Sequence, residues 1–133
     1  MESATGGRGL IDTDVLIDAL RGSGQSKRFL FEQHTQGGIQ ISVVSAMELI
    51  QGCRNAAERN SLLKSMSTWN VLPIGPSASL KAYEWMLSFS LSHGLEIPDA
   101  LIAGTAAERN LVLFTRNTRH FQMISEVTLE QPY

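Results

Sequence analysis

Apolar residues follow two alternating rhythms along this chain: short β-branched runs, and longer stretches with helical spacing. Gly9-Leu10-Ile11 is a brief apolar run that stops at Asp12, after which Val15, Leu16, Ala19 and Leu20 fall at helical intervals. Gly22 to Gln25 reads as a turn, and Lys27 to Gln36 as a second helix closed by Gly37-Gly38. The short β-branched stretch Ile39 to Val44 predicts a strand, and Ser45 opens a helix carrying Met47, Leu49 and Ile50. A helix follows across Ala56 to Ser67, then a strand over Trp69 to Ile74 that stops at Gly75-Pro76. The longest amphipathic helix runs from Ser77 to His93 and ends at Gly94. Pro98 starts the next helix, Leu111 to Thr115 predicts a strand, and Val127 to Leu129 a last one.

Strands alternating with helices predict an α/β fold: a central parallel sheet covered by helices on both faces. There is no internal repeat, no low-complexity tract and no linker long enough to divide the chain. The 133 residues match one domain, and that length can bury a core without disulfide or zinc staples.

Composition narrows the setting. An apolar fraction of 43% with 18% charged residues describes an ordinary globular protein. The single cysteine, Cys53, can form no intramolecular bridge, which favours a reducing compartment. Residues 1–8 are small and polar, without the apolar core of a signal peptide, and are expected to be a flexible N-terminal segment before a single domain over 9–133. No apolar run approaches the roughly 20 residues that cross a bilayer, so the expected location is cytoplasmic, with no membrane partner.

A net charge of −2 counts against simple electrostatic binding of nucleic acid. The distribution says more than the total. Of four aspartates, Asp12, Asp14 and Asp18 crowd into seven residues. If Asp12, Glu48 and Asp99 are set aside as metal ligands, 13 − 3 = 10 acids stand against 11 Lys and Arg. That remainder is close to neutral, and a cation on the acidic spot would admit an anionic substrate.

Each of these acids also has a bland reading. Asp12 ends the first strand, where open α/β sheets collect ligands, yet an aspartate before a helix also serves as an N-cap. Asp14 and Asp18 share one helical face; for Asp18 the simpler reading is a solvated surface. Ser45-Ala-Met-Glu48 has the form of a capping box, in which Glu48 would reach back to the Ser45 amide. Asp99 follows Pro98 at a helix start, where the dipole favours an acid. Three such junctions each carrying an acid are less easily explained by capping alone. Ala103, Gly104, Ala106 and Ala107 imply that the helix after Asp99 packs closely on a neighbour. Beyond the strand ending at Thr115, Asn117 suits a turn, His120 a surface position, and Arg116 and Arg119 either meet phosphates or are solvated. Converging carboxylates repel unless protonated or neutralised, and an oxygen-only donor set suits Mg²⁺ or Mn²⁺. Such an ion activates water for in-line attack on a phosphodiester.

The segments Leu10-Ile-Asp12-Thr13-Asp14-Val-Leu-Ile-Asp18, Ser45-Ala-Met-Glu48-Leu, Pro98-Asp99-Ala-Leu-Ile-Ala103 and Thr115-Arg-Asn117-Thr-Arg-His-Phe121 together resemble the PIN-domain nucleases. Within them the chain is similar to the VapC-type toxins of prokaryotic toxin–antitoxin modules, from Gly9 to about Leu129. The resemblance implies a three-layer α/β/α fold and a Mg²⁺- or Mn²⁺-dependent endoribonuclease. It assigns the site to Asp12, Glu48, Asp99 and Asn117, with Asp12 and Asp99 as principal metal ligands and Glu48 acting through the metal's water shell or on the nucleophile. It further implies an RNA substrate, a homodimer and a cognate antitoxin that occupies the cleft. Asn117 departs from the family, whose fourth site position is often Asp; a neutral amide there favours one metal over two.

Asp12-Thr13-Asp14 after a strand also fits the opening of a haloacid dehalogenase-type phosphatase, but after Glu48 the only aspartate is Asp99, so the later acidic pair is missing. A response-regulator receiver needs an aspartate ending its third strand, where this chain has Pro73-Ile74. A PIN-like domain that binds RNA or protein without cutting is the remaining alternative.

Overall fold

The computed structural model describes residues 9–133; the expected flexible segment over 1–8 lies outside the described residues. In chain order the elements are β1 (Gly9–Ile11), α1 (Thr13–Leu20), α2 (Gly24–Thr35), β2 (Gln40–Ser42), α3 (Val43–Gln51), α4 (Ala56–Met66), β3 (Asn70–Leu72), α5 (Pro76–His93), α6 (Ile97–Glu108), β4 (Val112–Phe114) and β5 (Leu129–Glu130), with a 3-10 turn at Thr118–His120. Every strand pairing is parallel: β1 with β4, β4 with β5, and β2 with β3. The β2–β3 ladder lies beside β1, where the Gln40 side-chain amide donates to the Gly9 carbonyl at 3.3 Å. The chain therefore moves outward from β1 to β2 and β3, then returns to β4 on the other flank. That reversal puts a crevice at the carboxyl ends of β1 and β4.

Alternation along the strands divides the interior into two layers. Leu10 and Leu113 pack with Ala82 and Trp85 of α5 and with Ala103 and Ala106 of α6. Ile11, Ile41 and Phe114 point the opposite way, against Val15 and Leu16 of α1, Phe29 of α2, and Leu62 and Met66 of α4. This is the three-layer α/β/α arrangement. The small residues of α6 do what their size implies: a Cβ on Gly104 would stand 2.6 Å from the Ala78 carbonyl oxygen, so α5 and α6 touch backbone to backbone. Glu108 extends this contact, accepting from the Ala78 amide of α5 at 2.7 Å.

Several boundaries differ from those expected. Helix α2 begins at Gly24 because Ser23 caps it, accepting from the Ser26 amide. The strand expected over Ile39–Val44 ends at Ser42, whose hydroxyl accepts from the Val44 amide at 3.0 Å and turns Val43 and Val44 into the first turn of α3. The last strand sits at Leu129–Glu130, in register with Leu113 and Phe114. Among the described residues, no helix is long and apolar enough to cross a membrane.

Candidate active site

Asp12 is the first residue beyond β1, and its amide donates to the Phe114 carbonyl at 2.9 Å, which continues the β1–β4 ladder by one step. The side chain is only 5% exposed. Its Oδ1 accepts from the Thr13 amide at 2.8 Å, and its Oδ2 from the Thr115 hydroxyl at 2.9 Å. Asp12 is thus both an N-cap and a cleft residue; the two readings are compatible. Burial, then the negative charge of Asp14, pushes its carboxyl up to about 8; Asp99 adds to this, while the two hydrogen bonds oppose it.

Asp14 stands on the first turn of α1. Its Oδ2 accepts from the Arg116 amide at 3.0 Å and from the Asn117 side-chain amide at 3.2 Å. Its Oδ1 is buried and has no hydrogen-bond partner among the described residues. Burial again raises this carboxyl above the ordinary range, against the hydrogen bond from the Arg116 amide.

Glu48 reaches the same rim by a route the capping box does not describe. Because Ser42 caps α3, Ser45 lies inside the helix, fully buried, and Glu48 is not needed at the helix start. Glu48 Oε1 instead accepts from the Thr13 hydroxyl at 2.7 Å. Thr13 Oγ1 also lies 2.8 Å from Ser45 Oγ, so one hydroxyl pair joins α1 to α3. Asp99, on the first turn of α6, has Oδ2 3.4 Å from His120 Nδ1. Burial raises its carboxyl; His120 opposes the shift, and Glu48, Glu96 and Asp14 add to it.

The four positions named from sequence, Asp12, Glu48, Asp99 and Asn117, therefore share one crevice, Asn117 through its contact with Asp14. The family model described as the PIN domain matches residues 9–126. The chain belongs to the PIN-domain family. This PIN domain is 36% identical over 119 residues to Ribonuclease VapC10 of Mycobacterium tuberculosis, a match covering 89% of each chain. It is 29% identical over 126 residues to the tRNA(fMet)-specific endonuclease VapC of Shigella flexneri, covering 91% of this chain and 95% of that one. Among solved structures, a chain of a toxin–antitoxin complex from Klebsiella pneumoniae superposes with a TM-score of 0.76 at 28% identity, covering 94% of this PIN domain and 98% of that chain.

The donors around this crevice are carboxylate and amide oxygens, the chemistry a hard divalent cation prefers. Among the described residues, no three His, Cys, Asp or Glu side chains already close into a metal cage. An ion held by one or two carboxylates and several waters requires no such cage, and Mg²⁺ is commonly bound that way. The buried, unpartnered Asp14 Oδ1 and the mutual repulsion of Asp12, Asp14 and Asp99 both fit a cation at this place.

Sequence reasoning passed over the hydroxyls that hold the acids. Thr13 and Thr115 are buried polar residues, each directly following a strand or its closing aspartate. Their position next to Asp12 and at the end of β4 was the available signal. Asp18, expected on the solvated surface, is half-buried and accepts from the Tyr133 hydroxyl at 2.9 Å.

Proposed function

We propose that the protein is a Mg²⁺-dependent endoribonuclease, with Mn²⁺ able to substitute, and that it is the toxin of a type II toxin–antitoxin module. The observation that carries this reading is the meeting of Asp12, Asp14, Glu48 and Asp99 at the carboxyl ends of β1 and β4, with Asp12 pushed up to about 8. Carboxylates gathered at such cost at one end of the sheet suit a cation that engages a phosphodiester. The family relatives named as ribonuclease and endonuclease support RNA as substrate.

Asp12 and Asp99 are the residues that would hold the cation. Bound there, it would supply an acidified water and neutralise charge during in-line hydrolysis at phosphorus. The chain's own contribution is positioning. Thr115 and the Thr13 amide fix the orientation of Asp12, leaving lone pairs on both oxygens. Thr13 fixes Glu48, which lies beside the other acids and can orient an attacking water or accept its proton. Asn117 and the Arg116 amide hold Asp14 without adding negative charge, consistent with a single ion.

Two partners follow from the same reading. The toxin–antitoxin complex among the structural relatives supports a cognate antitoxin. Leu80, Tyr83, Leu87 and Leu91 form an exposed apolar stripe along α5, which supports a homodimer.

The test compares cleavage of a mixed RNA pool by the unsubstituted protein and Asp99→Asn, with Mg²⁺, Mn²⁺ or EDTA. Metal-dependent fragments from the unsubstituted protein alone are expected. Equal cleavage by both variants would locate the activity elsewhere. No cleavage by folded, antitoxin-free protein would turn the assignment to a PIN-like module that binds RNA or protein without cutting.

A further inference from the structure

We propose that Arg116, laid on the ring of Tyr133, is a phosphate-binding residue at the mouth of the acidic crevice, and that Tyr133 is the residue that positions it. This rests on the nuclease reading and adds a determinant of RNA binding to it.

Arg116 lies between two residues committed to the site. Thr115 before it donates to Asp12, and Asn117 after it donates to Asp14. The Arg116 amide itself donates to Asp14 Oδ2 at 3.0 Å, so the backbone is pinned to the crevice while the side chain is exposed. The guanidinium carbon stands 4.6 Å from the centre of the Tyr133 ring. Among the described residues the guanidinium forms no salt bridge with any carboxylate, although Asp12, Asp14 and Asp18 are all nearby in the chain's fold. A cation over an aromatic ring that pairs with no carboxylate among the described residues retains N–H donors for an anion.

Tyr133 is itself held in place from two sides. Its hydroxyl donates to Asp18 Oδ2 at 2.9 Å, and its ring tilts against Phe29 at 6.4 Å between centroids. Phe29 in turn meets Phe114 of β4 edge to face at 4.9 Å. The platform under Arg116 is thereby anchored to the core strand that leads into Thr115. Arg119, exposed on the 3-10 turn, has no ring contact of this kind among the described residues. The two arginines, equivalent in sequence terms, are distinguished by this contact.

The experiment measures binding of a fluorescein-labelled single-stranded RNA over a series of salt concentrations, and steady-state cleavage of the same RNA with Mg²⁺. The proteins are the unsubstituted chain, Arg116→Ala, Arg116→Lys, Tyr133→Ala, Tyr133→Phe and Arg119→Ala. Truncating the Arg116 side chain leaves its amide on Asp14, so kcat should change little while KM and Kd rise about tenfold, the scale of one charge-assisted contact. The slope of log affinity against log salt should fall by about one, a change that a merely structural defect would not produce. Tyr133→Ala should raise Kd in the same direction, Tyr133→Phe should restore most of it, and Arg116→Lys should recover the salt slope. Arg119→Ala should bind as the unsubstituted chain does. Unchanged Kd and salt slope in Arg116→Ala, with RNA still bound and cut by the unsubstituted protein, would overturn the assignment alone. Failure of the unsubstituted protein to bind RNA would overturn the nuclease reading, and this assignment with it.

Discussion

The Thr115 hydroxyl donates to Oδ2 of Asp12 across 2.9 Å, joining the carboxyl ends of two adjacent parallel strands that are 103 residues apart in the chain. The bond has two effects. It favours the ionised form of a carboxylate that burial works to neutralise, and it fixes which way that carboxylate faces. Thr115 Oγ1 also accepts from the Asn117 amide at 2.9 Å, so the same hydroxyl shapes the turn that carries Asn117.

Replacing Thr115 by Val keeps the volume and removes the hydroxyl. Asp12 then loses a donor and the Asn117 amide loses an acceptor. The expected cost in stability is about 1–3 kcal/mol, because buried partners are left unsatisfied. If Asp12 holds the cation as proposed, the loss of metal-dependent cleavage should be larger, about 10- to 100-fold, the range for an outer-shell partner of a metal ligand. Thr115→Ser should retain most of both. Thermal unfolding and Mg²⁺ titration of cleavage check this; equal activity in Thr115→Val would show that Asp12 needs no orienting partner.

The raised carboxyls set a pH dependence with a definite sign. Asp12 has a folded value of about 8 against 3.8 for the free side chain, and Asp14 and Asp99 are shifted in the same direction. Between about pH 4 and 8 the folded chain holds protons that the unfolded chain has released. Stability in EDTA should therefore be greatest on the acid side of this window, fall as pH rises toward 8 and level off above it. A divalent cation competes with those protons, so Mg²⁺ should raise the Tm more at pH 8 than at pH 5. Melting curves across pH 5–9 with EDTA and with Mg²⁺ test both statements. A Tm in EDTA that climbs steadily through this range would contradict the first.

Much of this arrangement was legible in the chain. Leu10-Ile11-Asp12 announces a strand that delivers an acid to the sheet edge, and Pro98-Asp99 a helix that does the same; their rhythms are local and survive folding. The Ser42–Ser45 region was not legible in the same way. Val43 and Val44 have strong β preference, and Ser45-Glu48 has the form of a cap, so local propensity put the helix start three residues late. The earlier Ser42 cap prevails because it leaves Ser45 buried against Thr13 and sends Glu48 to the crevice. Partners such as Thr115 with Asp12 or Tyr133 with Asp18 have no periodic signature at all. They depend on the order of strands across the sheet, which spacing along the chain does not encode.

Helix α6 carries Asp99, so its seat on α5 governs the site from a distance. Gly104→Ala would press a methyl group into the Ala78 carbonyl, and neither partner is a flexible side-chain end. The expected loss is about 1–3 kcal/mol of stability from overpacking, despite the better helix propensity of alanine. If α6 shifts to relieve the clash, metal-dependent cleavage should fall as well, whereas purely global destabilisation would leave cleavage unchanged well below the Tm. Denaturant unfolding together with cleavage at low temperature separates the two. A more stable Gly104→Ala protein would mean that the α5–α6 contact is looser than the backbone positions require.

Asn117→Asp tests how charge is counted in the crevice. The Asn117 side chain donates to Asp14 Oδ2, a contact that an ionised Asp cannot make. The substitution replaces that donor with a second negative charge next to Asp14, whose Oδ1 already lacks a partner. Without metal, the variant should be less stable than the parent at neutral pH, and acidification should narrow the difference as the added acid is protonated. With Mg²⁺ or Mn²⁺ the order should tighten or reverse, because the new carboxylate is a further oxygen donor for the cation. Calorimetric titration should then give a lower Kd for Mn²⁺, and a stoichiometry above one would show that Asn117 is what limits the parent protein to a single ion. A variant with unchanged metal affinity and unchanged Tm in EDTA would place residue 117 outside the electrostatic reach of the site.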